Sequence, residues 1–259
     1  MSEAAVLFGL DEHIATITLN RPAKLNAIDH EMLELLDAYC RQIDQSPDAR
    51  VVLLTGAGDR AFCVGADIND WSALRPMDMW RVWIREGHRV FERLARLPQP
   101  VIAVLNGYTF GGGLELALAA DLRVAAEQVE LAMPECGIGA VPGWGGTQRL
   151  PNLIGPARAK QIIFSGARID AATAERWGLV NEVAPRAALM ERALELAGAI
   201  AGRAPLSIQM AKQLIDGGLG AATSATLEAL AGALAATTED GVEGVASFRE
   251  RRAPRFKGK

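Results

Sequence analysis

Apolar and polar residues alternate with period two over Val6 to Phe8, and again at Ala15, Ile17 and Leu19 with threonines between them. This is the pattern of strands with one buried face, and the polar pair Asp11-Glu12 between the two runs marks a turn. Asn20-Arg21-Pro22 stops the second run, and Asp29 is placed to cap a helix through Met32, Leu35, Leu36 and Tyr39. Arg50 to Thr55 reads as a short strand buried on both faces. A loop follows, then a long amphipathic helix from about Met77 to Leu97, ended by Pro98 and Pro100. Val101 to Leu105 is a second buried strand, Gly111 to Gly113 opens an apolar helix, and Leu122 to Ala125 and Val129 to Ala132 are further short strands. From Trp144 onward helical periodicity dominates, apart from a strand-like Leu179 to Val183. The pattern predicts an α/β core over residues 1–195 and a helical region over residues 196–259.

Composition narrows the function classes. The 259 residues are 50% hydrophobic and 22% charged, ordinary for a globular protein with a sizeable core. The formal net charge of -4 gives no electrostatic footprint for nucleic acid. Cys40, Cys63 and Cys136 are far apart and odd in number, which fits reduced thiols in the cytoplasm better than a disulfide framework. The opening Met1-Ser2-Glu3 has no basic n-region, so no signal peptide is expected. The most membrane-like window, Val101 to Ala126, is broken by Asn106, Gly111 to Gly113, Glu115 and Asp121, short of the ~20 apolar residues a span needs. It reads as core, and no membrane partner is expected.

Three familiar motifs fail on context. Gly56-Ala-Gly58-Asp-Arg-Ala61 follows a strand in the loose dinucleotide spacing, but Phe62-Cys63-Val64-Gly65 is a poor helix start, and no acidic residue closes a second strand where a ribose contact belongs. His13, His30 and His88 lack zinc-ligand spacing, and no GxSxG elbow is present.

Two glycine-containing segments follow the buried strands: Phe62-Cys-Val-Gly-Ala-Asp-Ile68 and Asn106-Gly-Tyr-Thr-Phe-Gly-Gly-Gly-Leu-Glu115. Parallel-sheet architecture gathers such turns at one sheet edge, where ligands bind. Glycine leaves backbone N–H groups accessible, and Gly112 stands where a helix begins, at the positive end of its dipole. Two N–H groups of this kind would form an oxyanion hole. The same glycines are also accounted for by tight turns alone. Glu115 lies inside the apolar run Leu114 to Ala120, and Glu135 sits between Met133-Pro134 and Cys136-Gly137-Ile138. A carboxylate in apolar surroundings is costly unless it is paired or functional. A surface ion pair is the competing explanation for each.

These segments resemble the enoyl-CoA hydratase/isomerase, or crotonase, family. The resemblance begins at Asn20 to Ile28, continues at Ala61 to Ile68, and is strongest from Asn106 through Glu115 to Met133-Pro-Glu135; Pro142 to Leu150 and Phe256 to Lys259 complete it. It implies a spiral of ββα turns followed by helices that trimerise, as a homotrimer or homohexamer, and a coenzyme A thioester as substrate, with no separate cofactor. The N–H groups of Ala66 and Gly112 resemble the oxyanion pair. Val64, Ala66, Asp67 and Ile68 resemble the segment against coenzyme A, and Phe248 and Arg251 a stretch that reaches coenzyme A from a neighbouring subunit. Asn69 departs from the lysine several hydratases carry there. Glu115 and Glu135 match the two acids of hydratases, with Glu135 as acid toward the α-carbon and Glu115 as the base positioning water. A Δ3-Δ2 enoyl-CoA isomerase using Glu135 alone is the alternative within the family. A non-catalytic RNA-binding relative would need a basic face that the composition does not supply. Trp71, Trp80, Trp83 and Trp144 lie where they could shape the acyl pocket, although tryptophans at helical spacing commonly fill cores.

Overall fold

The computed structural model describes residues 4–218 and 221–259; the opening Met1-Ser2-Glu3 lies outside them. Its first two strands, β1 (Val6–Asp11) and β2 (Ile14–Leu19), form the expected antiparallel hairpin. Glu12 and His13, both at positive φ, make its two-residue turn. Asp29 caps the helix His30–Asp44, its side chain accepting from the Met32 N–H.

β3 (Val51–Gly56), β5 (Val101–Leu105), β7 (Leu122–Ala126) and β10 (Glu182–Ala184) then add in parallel, giving the sheet order β1-β2-β3-β5-β7-β10. β3 and β5 are buried at every position, as their continuous apolar runs require.

A second sheet corrects the sequence reading of two segments as loops. β4 (Ala61–Cys63), β6 (Tyr108–Phe110) and β8 (Glu130–Ala132) pair in parallel, and the two-residue β9 (Ile169–Asp170) closes it antiparallel to β8. Each of these strands is too short to express a period. Successive turns of chain thus lay one strand in each sheet: β3 then β4, β5 then β6, β7 then β8. This is the spiral that the family resemblance implies.

The helix read as Met77 to Leu97 runs as Pro76–Asp78, a π-helical turn at Met79–Ile84, and Arg85–Ala95. The strand read at Leu179 to Val183 is shifted to β10, with Leu179 and Val180 buried ahead of it. Residue 195 falls inside the helix Leu189–Ala201, whose buried Ala193, Ala197 and Ala201 form its inner face against β3, β5 and β7. The helices Pro205–Gly217, Ala221–Thr237 and Glu239–Glu250 complete the chain. No described helix is long and apolar enough to cross a membrane.

Candidate active site

The candidate residues gather at the C-terminal ends of consecutive parallel strands in the second sheet. Ala66 lies three residues past β4, Gly112 two past β6, and Glu135 three past β8. Strand ends are where parallel sheets collect ligand-binding groups.

Ala66 forms a parallel bridge with Ile28. Its neighbours make the bonds: the Ile28 N–H donates to Gly65 O at 2.8 Å, and the Asp67 N–H donates to Ile28 O at 2.8 Å. The pairing pattern therefore turns the N–H of Ala66 itself away from Ile28. The two segments lie close together here: a Cβ built on Gly65 would stand 3.2 Å from Gly112 N, and one built on Gly112 would stand 3.4 Å from Ala66 N. Gly112 opens the helix Gly112–Leu118, so its N–H has no acceptor within that helix. The two backbone nitrogens are therefore near neighbours. A Cβ on Gly112 would also lie 2.8 Å from the Trp144 ring, so no larger residue fits there unchanged.

Glu115, one turn into that helix, is 2% exposed. Its Oε1 accepts the N–H groups of Trp144 at 2.7 Å and Gly146 at 2.8 Å. These donors belong to the start of the helix Gly146–Ile154, whose dipole favours a negative charge. Arg149 braces the turn, with Nη1 donating to Trp144 O at 3.1 Å and Nη2 to Glu92 at 2.6 Å. Burial pushes the Glu115 carboxyl above its ordinary range, against the pull of the Gly146, Trp144 and Gly143 N–H groups and of Arg149.

Glu135 is the opposite case. Both of its carboxyl oxygens are buried, and neither has a hydrogen-bond partner. Burial pushes this carboxyl up to about 7, and the charge of Glu115 pushes in the same direction. Gly111, at φ 51°, leaves room for it: a Cβ there would stand 3.1 Å from Glu135 Oε1. The Gly111 N–H donates to Ala132 O at 2.9 Å and holds the ends of β6 and β8 together. One site therefore contains a carboxyl wrapped in N–H donors beside an unsolvated one that favours its proton. Both carboxyls are pushed toward the protonated form, and two such neighbours can hold a single proton between them.

The remaining predicted residues separate by role. Val64 is half-buried and Ile68 is exposed, so both are open to a ligand. Asp67 is not: its carboxylate accepts from Arg21 Nη2 at 3.1 Å, the Asn69 N–H at 3.1 Å and Asn69 Nδ2 at 2.9 Å. Phe248 is 86% exposed on the last helix, and Arg251 ends that helix at φ 53°. Trp83 and Trp144 pack together in the core with Phe91, whereas Trp80 is exposed. Sequence reasoning from the residues alone missed the N–H cradle of Glu115; Gly145, at φ 108° before the helix, was its only local signal. Among the described residues, no cluster of three or more His, Cys, Asp or Glu is placed to hold a metal ion.

Known proteins share this chain's sequence and fold. The sequence profile of the enoyl-CoA hydratase/isomerase family matches residues 9–259. YngF of Bacillus subtilis, which carries a provisional enoyl-CoA hydratase/isomerase name, is 43% identical over 98% of both chains. The short-chain-enoyl-CoA hydratase of Clostridium acetobutylicum is 37% identical over 95% of both. A crystal structure of an enoyl-CoA hydratase from Bacillus anthracis superposes with a TM-score of 0.95 at 39% identity, covering 98% of this chain and all of that one. On sequence and fold alike, this chain belongs to the enoyl-CoA hydratase/isomerase, or crotonase, family.

Proposed function

We propose that the chain is an enoyl-CoA hydratase, adding water across the 2,3 double bond of an enoyl-CoA thioester. The observation that carries this reading is the contrast between Glu115, held by N–H donors, and Glu135, buried without a partner. The thioester oxygen accepts from the N–H groups of Ala66 and Gly112, and this polarisation makes the β-carbon electrophilic. Glu115, as the carboxylate, takes a proton from water as the water oxygen bonds to the β-carbon. Glu135 gives its proton to the α-carbon, and the double-bond electrons supply that C–H bond. One proton enters the pair as one leaves, so the active enzyme is the singly protonated pair in both directions.

Coenzyme A enters as part of the substrate, against Val64, the backbone of Ala66 and Asp67, and Ile68. Phe248 and Arg251 reach it from a neighbouring subunit in a homotrimer or homohexamer. Exposed Ile215, Leu230, Leu234, Val242, Val245 and Phe248 on the C-terminal helices support that assembly.

The test is turnover on a panel of enoyl-CoA thioesters from short linear to aryl-bearing, with products identified by mass. A gain of one water with at least one substrate is expected. A product of unchanged mass with a shifted double bond would identify an isomerase instead.

A further inference from the structure

Arg21 lies outside the candidate site, yet its side chain bridges the loop that carries Ala66 and the segment paired with it. Nη1 donates to Ala27 O at 2.6 Å and pairs with Asp29 Oδ2 at 3.0 Å; Nη2 donates to Asp67 Oδ2 at 3.1 Å. Ala27 and Asp67 flank the Ile28–Ala66 bridge, one on each strand. The guanidinium thus ties together the two segments whose register turns the Ala66 N–H away from Ile28. A third backbone bond, from Val64 N–H to Leu25 O at 3.3 Å, continues the same seam.

The loop bearing Arg21 is also strained. Leu25 and Asn26 both hold positive φ, 52° and 57°. For leucine this is an unfavourable conformation, kept only where the surroundings over-determine it. Here Asn26, fully buried, is bonded at both ends of its amide. Its Oδ1 accepts from the Arg21 N–H at 3.0 Å, and its Nδ2 donates to Ala57 O and Ala61 O at 3.0 Å each. Ala61 begins β4, the strand that leads to Ala66. The strained turn, its amide staple and the guanidinium fork all converge on the placement of residues 64–67.

We infer that Arg21 is a positioning residue for the reaction: through Asp67 and the Ala27 carbonyl it fixes the direction of the Ala66 N–H, and so the polarisation of the substrate carbonyl. The inference rests on the oxyanion role proposed for Ala66. Only a planar fork bonds Asp67 and Ala27 at once, so a lysine should not replace it.

The test reads the carbonyl directly. Butyryl-CoA labelled with ¹³C at the thioester carbon has no double bond to hydrate, and its bound C=O stretch reports hydrogen bonding from the oxyanion donors. Wild type is expected to lower that frequency on binding. In Arg21→Gln and Arg21→Lys at least half of the lowering should be lost. On crotonyl-CoA, kcat should fall about 10- to 100-fold with KM changed little, the scale of a small misplacement or of losing most of one oxyanion donor. Asp67→Asn, which keeps an acceptor for Asn69 but loses the charge facing Arg21, should move both readouts the same way. If Arg21→Gln fails to fold, Arg21→Lys and Asp67→Asn carry the test. Folded variants with the full wild-type frequency change and kcat within about threefold of wild type would overturn the inference, since a merely structural role moves neither. A wild type that binds butyryl-CoA without any lowering would remove the oxyanion role of Ala66 itself, and this inference with it.

Discussion

Glu135→Gln offers a test of the site that does not depend on turnover. The free carboxyl of an unfolded chain titrates near the ordinary glutamate value of about 4.3, whereas in the folded protein burial pushes Glu135 up to about 7. Between those two values the folded state keeps a proton that the unfolded state has lost. Stability from this group therefore falls as pH rises through the window from about 4.3 to 7, and is level above it. Full linkage over that window is worth roughly 4 kcal/mol, which solvent reaching this half-buried residue should trim to about 1–2 kcal/mol. Glutamine keeps the volume and cannot titrate. Urea unfolding of wild type and Glu135→Gln at pH 5, 6, 7 and 8 should show the variant gaining on wild type by about that amount between pH 5 and 8. The same proton governs catalysis, so kcat/KM of the wild type should fall about tenfold per pH unit above about 7. Parallel stability curves for the two proteins, with no relative gain for the variant, would refute the claim that Glu135 carries a displaced proton affinity.

Other outcomes follow from the same geometry. Glu115→Gln and Glu135→Gln should each lower kcat for hydration by at least ~10², with the double variant little worse than the weaker single one because the acids act as a unit. A mild Glu115→Gln beside a severe Glu135→Gln would point to an isomerase. Gly112→Ala places a methyl 2.8 Å from the Trp144 ring and must shift the oxyanion turn. It should cost up to ~10²–10³ in turnover while circular dichroism stays unchanged, and near-normal turnover would exclude the role of this N–H. Light scattering at micromolar concentration should give the mass of a trimer or hexamer, and a monomer mass would exclude the proposed subunit contact at coenzyme A.

Much of this was legible in the sequence where a physical signal is local. β3 and β5 announce themselves as unbroken apolar runs, and Asp29 as a cap, because burial on both faces and orphan N–H groups each constrain residue type directly. Glu115 stood out for the same reason, as an acid inside an apolar helix that has to be justified. Of the second sheet only β8 stood out, while β4 and β6, three residues each, owe their pairing to strands far away in sequence. Nor did the roles of Arg21, Asn26 and Arg149. Their partners lie between 5 and 57 residues away, and nothing in a run of sequence says which carbonyl a guanidinium or an amide will find. Asp67 adds a role that resemblance did not show: its carboxylate is held by Arg21 and Asn69.

The central claim is that the pair Glu115 and Glu135 adds a water molecule to an enoyl thioester. The most direct test is to run the wild-type protein on crotonyl-CoA in H₂¹⁸O and analyse the product by mass spectrometry. The account predicts a 3-hydroxyacyl product carrying one ¹⁸O on the β-carbon, formed by wild type and strongly suppressed in Glu115→Gln. A hydroxyacyl product without label, or no hydroxyacyl product from any thioester in the panel, would contradict it.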